Sequence, residues 1–239
     1  MPNLCVIPVR GGSKGLPRKN AAELIDGMSL LEWTIRQAQG SSLAETTVVS
    51  TEDEELSMIA SACGTRVVPR PAGLARDEST TGSVIKDLLG KLDPQSRLYD
   101  AITILQVTSP LRCIDDIDGA LDLFESGKYD SVVSASEYFG VHPAKLYFMT
   151  DDGAQSAAPE YETRRRQDLP LVFRRNGAIF MVTRRYFENS GRLWGGRTGL
   201  LKMPAARSLD IDTSDDLEAA RQYLRGHPCA HAKASDLKT

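Results

Sequence analysis

Residues Leu4–Asn20 read LCVIPVRGGSKGLPRKN, an apolar run that empties directly into a loop with three glycines and four cations. Leu4, Val6, Ile7 and Val9 make the run a buried strand (Leu4–Val9), ended at once by Gly11 and Gly12. Glycines let the backbone come close to a bulky anion and turn successive N–H groups toward it. Arg10, Lys14, Arg18 and Lys19 bring more positive charge than a structural turn requires. A loop of this kind fits a polyphosphate. It lacks the closing Gly-Lys-Ser/Thr of a Walker loop and the spacing of the G-x-G-x-x-G dinucleotide fingerprint. The competing reading is a solvated basic turn.

Outward from this loop, short β-rich runs alternate with segments of helical period, which predicts an α/β fold: a mostly parallel twisted sheet with helices on both faces. Further strands are expected at Thr46–Ser50, Arg66–Val68, Ala101–Leu105, Ser131–Ser134, Ala178–Val182 and Leu200–Met203. Helices are expected at Leu30–Gln39 behind a Ser29 cap, Glu52–Cys63, Ser83–Lys91, Ile114–Ser126 and Ser214–Arg225. In open α/β sheets ligands sit beyond the carboxyl ends of the strands, and the glycine loop, Gln106 and Thr108 all fall at such ends.

Phe139–Val172 interrupts the alternation with an expected strand at Lys145–Met149, a polar stretch and the basic run Arg164–Arg166. A long excursion inside a compact domain reads as a lid, a binding loop or an oligomer arm, with a solvated charge run as the plainer view of the arginines. The chain divides into one domain over residues 1–226 and a polar tail, 227–239, expected to fray.

Composition narrows the function. The 239 residues carry a formal net charge of −3, with a pI near 5.7, which argues against a general nucleic-acid binder. No apolar run approaches the roughly 18 residues that span a bilayer, and no secretory signal pattern appears. Cys5, Cys63, Cys113 and Cys229 lie far apart without C-x-x-C spacing, so reduced thiols in a cytoplasmic compartment are expected. His142, before Pro143, reads as structural. The His227 and His231 pair around Cys229 carries at most an adventitious metal, and no Ser-His-Asp or Cys-His arrangement is present.

A second constellation lies in SLDIDTSDDLEAA, where Asp210 and Asp212 stand two residues apart on an extended segment. Alternate residues of such a segment point the same way, so both carboxylates can converge on one cation while Leu209 and Ile211 face the core. Hard oxygen ligands suit Mg²⁺, which takes one or two carboxylates and completes its shell with water and phosphate oxygens. The alternative makes Asp212 or Thr213 only the N-cap of the following helix.

Five stretches together, IPVRGGSKGLPRKN, LQVTSPLR (Leu105–Arg112), RRQDLP (Arg165–Pro170), NGAIF (Asn176–Phe180) and SLDIDT (Ser208–Thr213), resemble in order the motifs of the CMP-sugar synthetases, specifically the N-acylneuraminate (sialic acid) cytidylyltransferase group. The resemblance runs from about Asn3 to about Leu224. It implies a Rossmann-like nucleotidyltransferase fold, a homodimer formed through the 139–172 arm, CTP and Mg²⁺, and transfer of CMP to an acidic nine-carbon-type sugar. It implies triphosphate contacts at Arg10, Lys14 and Lys19, with Gly11, Gly12 and Ser13 in the loop and Asn20 beside it. Arg70 and the hydroxyl run Ser79–Thr81 match the cytidine region, with Thr81 the best-aligned hydroxyl. On the sugar side the matches are Gln106, Lys145, Arg165, Arg166, Gln167, Asn176 and Phe180, and Asp210 and Asp212 match the metal ligands. Arg10, Lys19 and Asp212 are the implied catalytic groups.

Three departures stand out. The family's Q-P-T-S is Gln106-Val107-Thr108-Ser109, its I-P-A-R has Val9, and its Y-R-P-N-G is Phe173-Arg174-Arg175-Asn176-Gly177. No charged ligand is lost, but Val107 and Arg175 neighbour the expected sugar pocket and leave the acceptor open. Legionaminic, deaminated nonulosonic or octulosonic acids, or a phosphonate, are alternatives within the same chemistry. A non-catalytic nucleotide-binding dimer is the alternative outside it.

Overall fold

A computed structural model describes residues 1–12 and 15–227. In chain order the elements are β1 (Asn3–Pro8), β2 (Glu23–Ile25), β3 (Met28–Ser29), α1 (Leu30–Gln39), β4 (Thr47–Thr51), α2 (Glu54–Ala62), β5 (Arg66–Pro69) and α3 (Thr81–Leu92). There follow β6 (Ala101–Leu105), α4 (Ile114–Glu125), β7 (Ser131–Glu137), β8 (Tyr147–Thr150), β9 (Gly153–Ser156), β10 (Phe173–Thr183), α5 (Arg184–Ser190), β11 (Thr198–Lys202) and α6 (Ser214–Gly226).

Seven strands form one sheet in the order β11-β7-β10-β6-β1-β4-β5. Pairing is parallel at β6-β1-β4-β5 and at β7-β11, while β10 runs antiparallel to both β6 and β7. The mostly parallel sheet expected from the alternation is therefore present, with one strand reversed. Strand β1 shows why both its faces are apolar. Leu4 and Val6 pack into a core with Val84, Ile85 and Leu88 of α3 and Phe187 of α5, while Cys5 and Ile7 join the opposite core under α1, α2, α4 and α6. Successive residues of a strand face opposite sides, so a strand covered twice must be apolar throughout.

Several element boundaries differ from expectation for local reasons. Helix α2 starts two residues late because the Asp53 carboxylate caps it by accepting from the Leu56 N–H at 3.0 Å. Helix α3 starts early because the Thr80 hydroxyl caps it, accepting from Ser83 N–H. The expected strand at Lys145–Met149 is shifted: Pro143 starts a 3₁₀ turn through Lys145, capped by His142 Nδ1, and extended structure begins only at Tyr147. His142 has the structural role its sequence context suggested. The small β2–β3 hairpin was not anticipated, although its Asp26-Gly27 turn, with both φ positive, is a recognised hairpin signal. The tail assignment for 228–239, with Cys229 and His231, lies outside the described residues.

Candidate active site

The carboxyl ends of β1, β4, β5 and β6 enclose a cleft of about 290 Å³ lined by Arg10, Gly12, Lys19, Asn20, Arg70, Ser79, Thr81 and Gln106, among others. It lies where the chain leaves β1 toward β4 on one side and β6 on the other, the switch point at which α/β sheets open a crevice. Each wall has its own anchor. The Asn20 amide donates to the Arg10 carbonyl at 2.9 Å and holds the loop that leaves β1. Arg10 donates to Asp77 at 2.8 Å, and the Gly11 N–H donates to Glu52 at 2.8 Å. Arg70 is buried at the end of β5 and donates to the Ser50 carbonyl at 2.8 Å, with Glu52 at 3.9 Å. Burial lowers the Arg70 pKa from the usual guanidinium value, and the Glu52 charge opposes that shift.

The glycine loop meets the Asp-x-Asp segment directly. A Cβ on Gly15 would lie 2.3 Å from the Asp212 carbonyl oxygen, so only glycine allows the two backbones to pass this closely. Lys19, largely buried, donates to the Ile211 carbonyl at 2.5 Å and to the Asp212 carboxylate at 3.1 Å. Ile211 points into the core and its N–H donates to the Thr108 carbonyl at 2.8 Å, leaving Asp210 and Asp212 on the solvent side. The cap question is resolved in favour of Thr213, whose hydroxyl accepts from the Asp216 N–H in a reciprocal box that caps α6. The Asp212 carboxylate therefore has no capping duty. Crowding by protein atoms pushes the Asp210 carboxyl above its ordinary range, the Thr108 hydroxyl opposes this, and the Asp212 charge adds to it.

Of the hydroxyl run, Ser79 and Thr81 line the cleft, whereas Thr80 is occupied as a helix cap. Gln106 lines this cleft and also a neighbouring one of about 500 Å³ walled by Ile104, Phe180, Leu193 and Trp194. A third, about 610 Å³, continues from Phe180 and Trp194 past Arg174, Arg175 and Gly177 to Asp210. Val107 is buried beside the first cleft.

The continuity of these clefts depends on a bulge in β10. Arg175 pairs with Ala135 and Phe180 with Val133, so residues 176–179 oppose Ser134 alone. The extra length swings Gly177, at φ +82°, against Gln106, whose Oε1 would lie 2.7 Å from an added Cβ. Asn176 holds the bulge from inside. Its oxygen accepts from the Ser134 hydroxyl at 2.6 Å and the Ala178 N–H, and its NH₂ donates to Ser208 and Met203. All four of its hydrogen-bonding positions are used internally, so Asn176 shapes the wall rather than presenting free donors.

Two residues beside the clefts escaped the sequence reading. Arg112 is fully buried, and one Nη donates to the carbonyls of Gln106, Ser109 and Ala178 at 2.7, 3.1 and 3.1 Å. It ties the β6 exit to the β10 bulge, and burial pulls its pKa down to about 10. Trp194 stands 5.4 Å from Phe180, ring centre to ring centre, with the Arg175 guanidinium 4.0 Å over its own ring. A tryptophan among Gly191, Gly195 and Gly196 was the available signal, because an aromatic in a glycine-rich loop has no helix or strand face to occupy.

The structure does not bring the remaining expected residues to these clefts. Lys145 reaches the Glu162 carbonyl at 3.4 Å, Arg165 pairs with Asp168 at 2.8 Å, and Arg166 and Gln167 form an exposed 3₁₀ turn. All four belong to the segment between β7 and β10. Ser13 and Lys14 lie outside the described residues.

A family model described as "Cytidylyltransferase" matches residues 4–193. An N-acylneuraminate cytidylyltransferase from Streptococcus agalactiae serotype V is 34% identical over 90% of this chain, which spans about half (52%) of that relative's length. A pseudaminic acid cytidylyltransferase from Campylobacter jejuni is 28% identical over 92% of this chain and 95% of its own. Among solved structures, a CMP:2-keto-3-deoxy-manno-octonic acid synthetase complexed with CTP superposes with a TM-score of 0.70 at 16% identity, covering 94% of this chain and 99% of the other, a likeness of fold. With a family model covering most of its length and a glycine loop set against paired aspartates at the strand ends, the chain belongs to the cytidylyltransferase family.

Proposed function

We propose that the chain transfers CMP from CTP to the anomeric hydroxyl of an acidic 2-keto-3-deoxy sugar, N-acylneuraminate or a close relative. The hydroxyl oxygen bonds to the α-phosphorus, the bond from that phosphorus to the β-phosphate oxygen breaks, and pyrophosphate leaves while the hydroxyl proton is lost. One observation carries the reading: a phosphate-type loop and two hard carboxylates meet at Gly15, Lys19 and Asp212 on the same strand ends. The names of the relatives, which act on N-acylneuraminate and pseudaminic acid, favour a nine-carbon acidic acceptor.

Phosphoryl-type transfer needs positioning and charge neutralisation more than covalent help. Arg10 would exchange Asp77 for a phosphate oxygen, and Lys19, held by Ile211 and Asp212, would face the α-phosphate. Arg70, Ser79 and Thr81 would receive the cytidine, and Gln106 stands between the nucleotide and acceptor clefts. The donor set fits Mg²⁺: Asp210 and Asp212 are hard ligands, and the crowding and like charge that raise Asp210 are what a divalent cation relieves. When bound, the ion supplies Lewis acidity at the phosphates.

The acceptor's carboxylate is assigned to Arg165 and Arg166, whose planar fork suits it as a lysine would not. Because neither they nor Lys145 and Gln167 line the three clefts described above, the reading places them in the pocket of a second copy. The same segment carries exposed apolar side chains, Phe139 at 76% and Met149 at 81%, which supports a homodimer through the 139–172 arm. Among the described residues no helix is long and apolar enough to cross a membrane. Cys5, Cys63 and Cys113 are free thiols, in keeping with a reducing, cytoplasmic setting. Pyrophosphate release from CTP, measured against a panel of 2-keto-3-deoxy acids with and without Mg²⁺, tests the whole reading. Binding of CTP without release for any acceptor favours a non-catalytic nucleotide-binding dimer.

A further inference from the structure

Arg175 is where this chain departs from the proline of the resembling motif, and the structure gives the replacement a defined place. It occupies the last paired position of β10 before the bulge, opposite Ala135. Its guanidinium lies 4.0 Å over the Trp194 ring, and Trp194 in turn lies against Phe180. All three line the cleft that ends at Asp210. Among the described residues Arg175 forms no ion pair with a carboxylate. A guanidinium centred 4.0 Å over an indole is held there by cation–π attraction and keeps its fork of N–H donors for a ligand. The wall therefore offers two things together: an edge of charged donors and a broad aromatic surface.

We propose that Arg175, held on Trp194, is a specificity-determining residue that selects acceptors bearing an N-acyl group on the sugar body over acceptors bearing a hydroxyl there. The inference rests on the proposed function and on taking this cleft, continuous through Phe180 and Trp194 with the one Gln106 lines, as the acceptor's. An acyl amide matches both features, since its carbonyl oxygen accepts from the guanidinium edge while its methyl group and amide plane lie on the aromatic surface. A hydroxyl offers a weaker acceptor and nothing to cover the ring. The carboxylate of the acceptor is a poorer candidate for Arg175 for a reason of distance. It is one bond from the anomeric carbon, which must react near the β1 end, whereas β10 is two strands away, roughly 10 Å at the usual spacing.

The test compares N-acylneuraminate with its deaminated counterpart, identical except for a hydroxyl in place of the acyl amide, at saturating CTP. In the wild-type chain kcat/KM favours the N-acyl acceptor. In Arg175→Ala the value for that acceptor falls about tenfold, the worth of one charged hydrogen bond, and the value for the deaminated acid stays within about twofold. Arg175→Lys does not restore the preference, because an ammonium lacks the planar donor edge. Equal losses for both acceptors, or none, overturn the proposal, and equal losses reassign Arg175 to the carboxylate. Binding is read independently from Trp194 emission, since Trp194 is 41% exposed while Trp33, the other tryptophan, is 2% exposed and donates to Pro110. A wild-type chain that turns over neither acid defeats the catalytic reading, yet the ratio of dissociation constants from this signal still decides the role of Arg175. An unchanged ratio in Arg175→Ala defeats it there too.

Discussion

In the strand-end cleft the ligand-facing groups stand on a framework with little freedom, whereas between β7 and β10 equally charged groups stand on exposed turns. Lys19 is largely buried and joined to Ile211 and Asp212, and Arg70 is buried against Ser50. Arg165 and Arg166 lie on a solvent-exposed 3₁₀ turn, with Asp168 as the carboxylate partner of Arg165. Buried, hydrogen-bonded cations are pre-oriented and pay little entropy when a phosphate arrives. Exposed ones must be ordered by something else, and a second copy of the chain is the candidate that also covers Phe139 and Met149. The difference teaches that the cations of the strand-end cleft are oriented by their own chain, whereas those between β7 and β10 are not, which is what the proposed second-copy contribution requires.

The sharpest attempt to break that comparison is Asp212→Asn. Thr213 caps α6 without help from Asp212, so circular dichroism and the unfolding midpoint should change little. Turnover should fall on the order of 10²-fold or more, about 3 kcal/mol of transition-state stabilisation, because an amide is a poor ligand for Mg²⁺. Near wild-type turnover at saturating Mg²⁺ would remove this carboxylate from the chemistry.

Lys19→Ala should lower turnover by about tenfold to 10²-fold and move the Michaelis constant for CTP less, since its charge is proposed to act as the α-phosphate reacts. A change confined to the Michaelis constant would make Lys19 a ground-state anchor.

For the exposed half, Arg165→Ala and Arg166→Ala should raise the Michaelis constant for the sugar by about tenfold at whichever arginine binds the carboxylate, and spare that for CTP. Mixing the double arginine variant with Asp212→Asn should regenerate activity, because one pocket of the heterodimer then holds both intact contributions. With subunit exchange demonstrated by mixed tags, no recovery would confine the basic run to its own chain or to the solvent.

The smallest effect sharpens the contrast from the amino end of β6, where Arg184 and Asp93 form an ion pair that lines neither the cleft of Lys19 nor that of Asp210. Burial alone would raise the Asp93 carboxyl, but N–H groups of Arg97, Leu98 and Tyr99 and the Arg184 guanidinium together bring it down to about 2. Its unfolded value is near 3.9, so its contribution to stability is present above about pH 4 and is lost as the pH falls toward 2. Denaturant midpoints measured from pH 5 to pH 2 should fall less steeply for Asp93→Asn than for the wild type. Parallel slopes would show that other carboxylates govern the acid limb.

The alternation of elements, the glycine loop and the Asp-x-Asp segment were legible because each depends on local geometry. Residues 4–9 are apolar on both sides because the strand is buried on both faces, and Asp210, Ile211 and Asp212 alternate because an extended chain must. Other features were not legible because they depend on distant partners. The β10 bulge needs Ser134 opposite it, the Arg112 clamp joins carbonyls from the β6 exit and β10, and the Arg175–Trp194–Phe180 stack brings together strand β10 and the loop after α5. The shifted strand after Lys145 was a local misreading, since Pro143 marks a turn that interrupts pairing.

Sequence by itself determined the α/β class, the family and the residue types available for phosphate, metal and carboxylate, because these follow from hydrophobic period, backbone freedom and ligand chemistry along short stretches. Only the tertiary structure decided that β10 runs against its neighbours, that Thr213 rather than Asp212 caps α6, and that Asn176, on the wall of the third cleft, has its hydrogen bonds taken by Ser134, Ala178, Met203 and Ser208. It also decided that Lys145, Arg165, Arg166 and Gln167 stand apart from the three clefts described above. The physical reason is the same in each case: these outcomes depend on which distant backbone and side-chain groups satisfy one another's hydrogen bonds, and that pairing exists only once the sheet has formed.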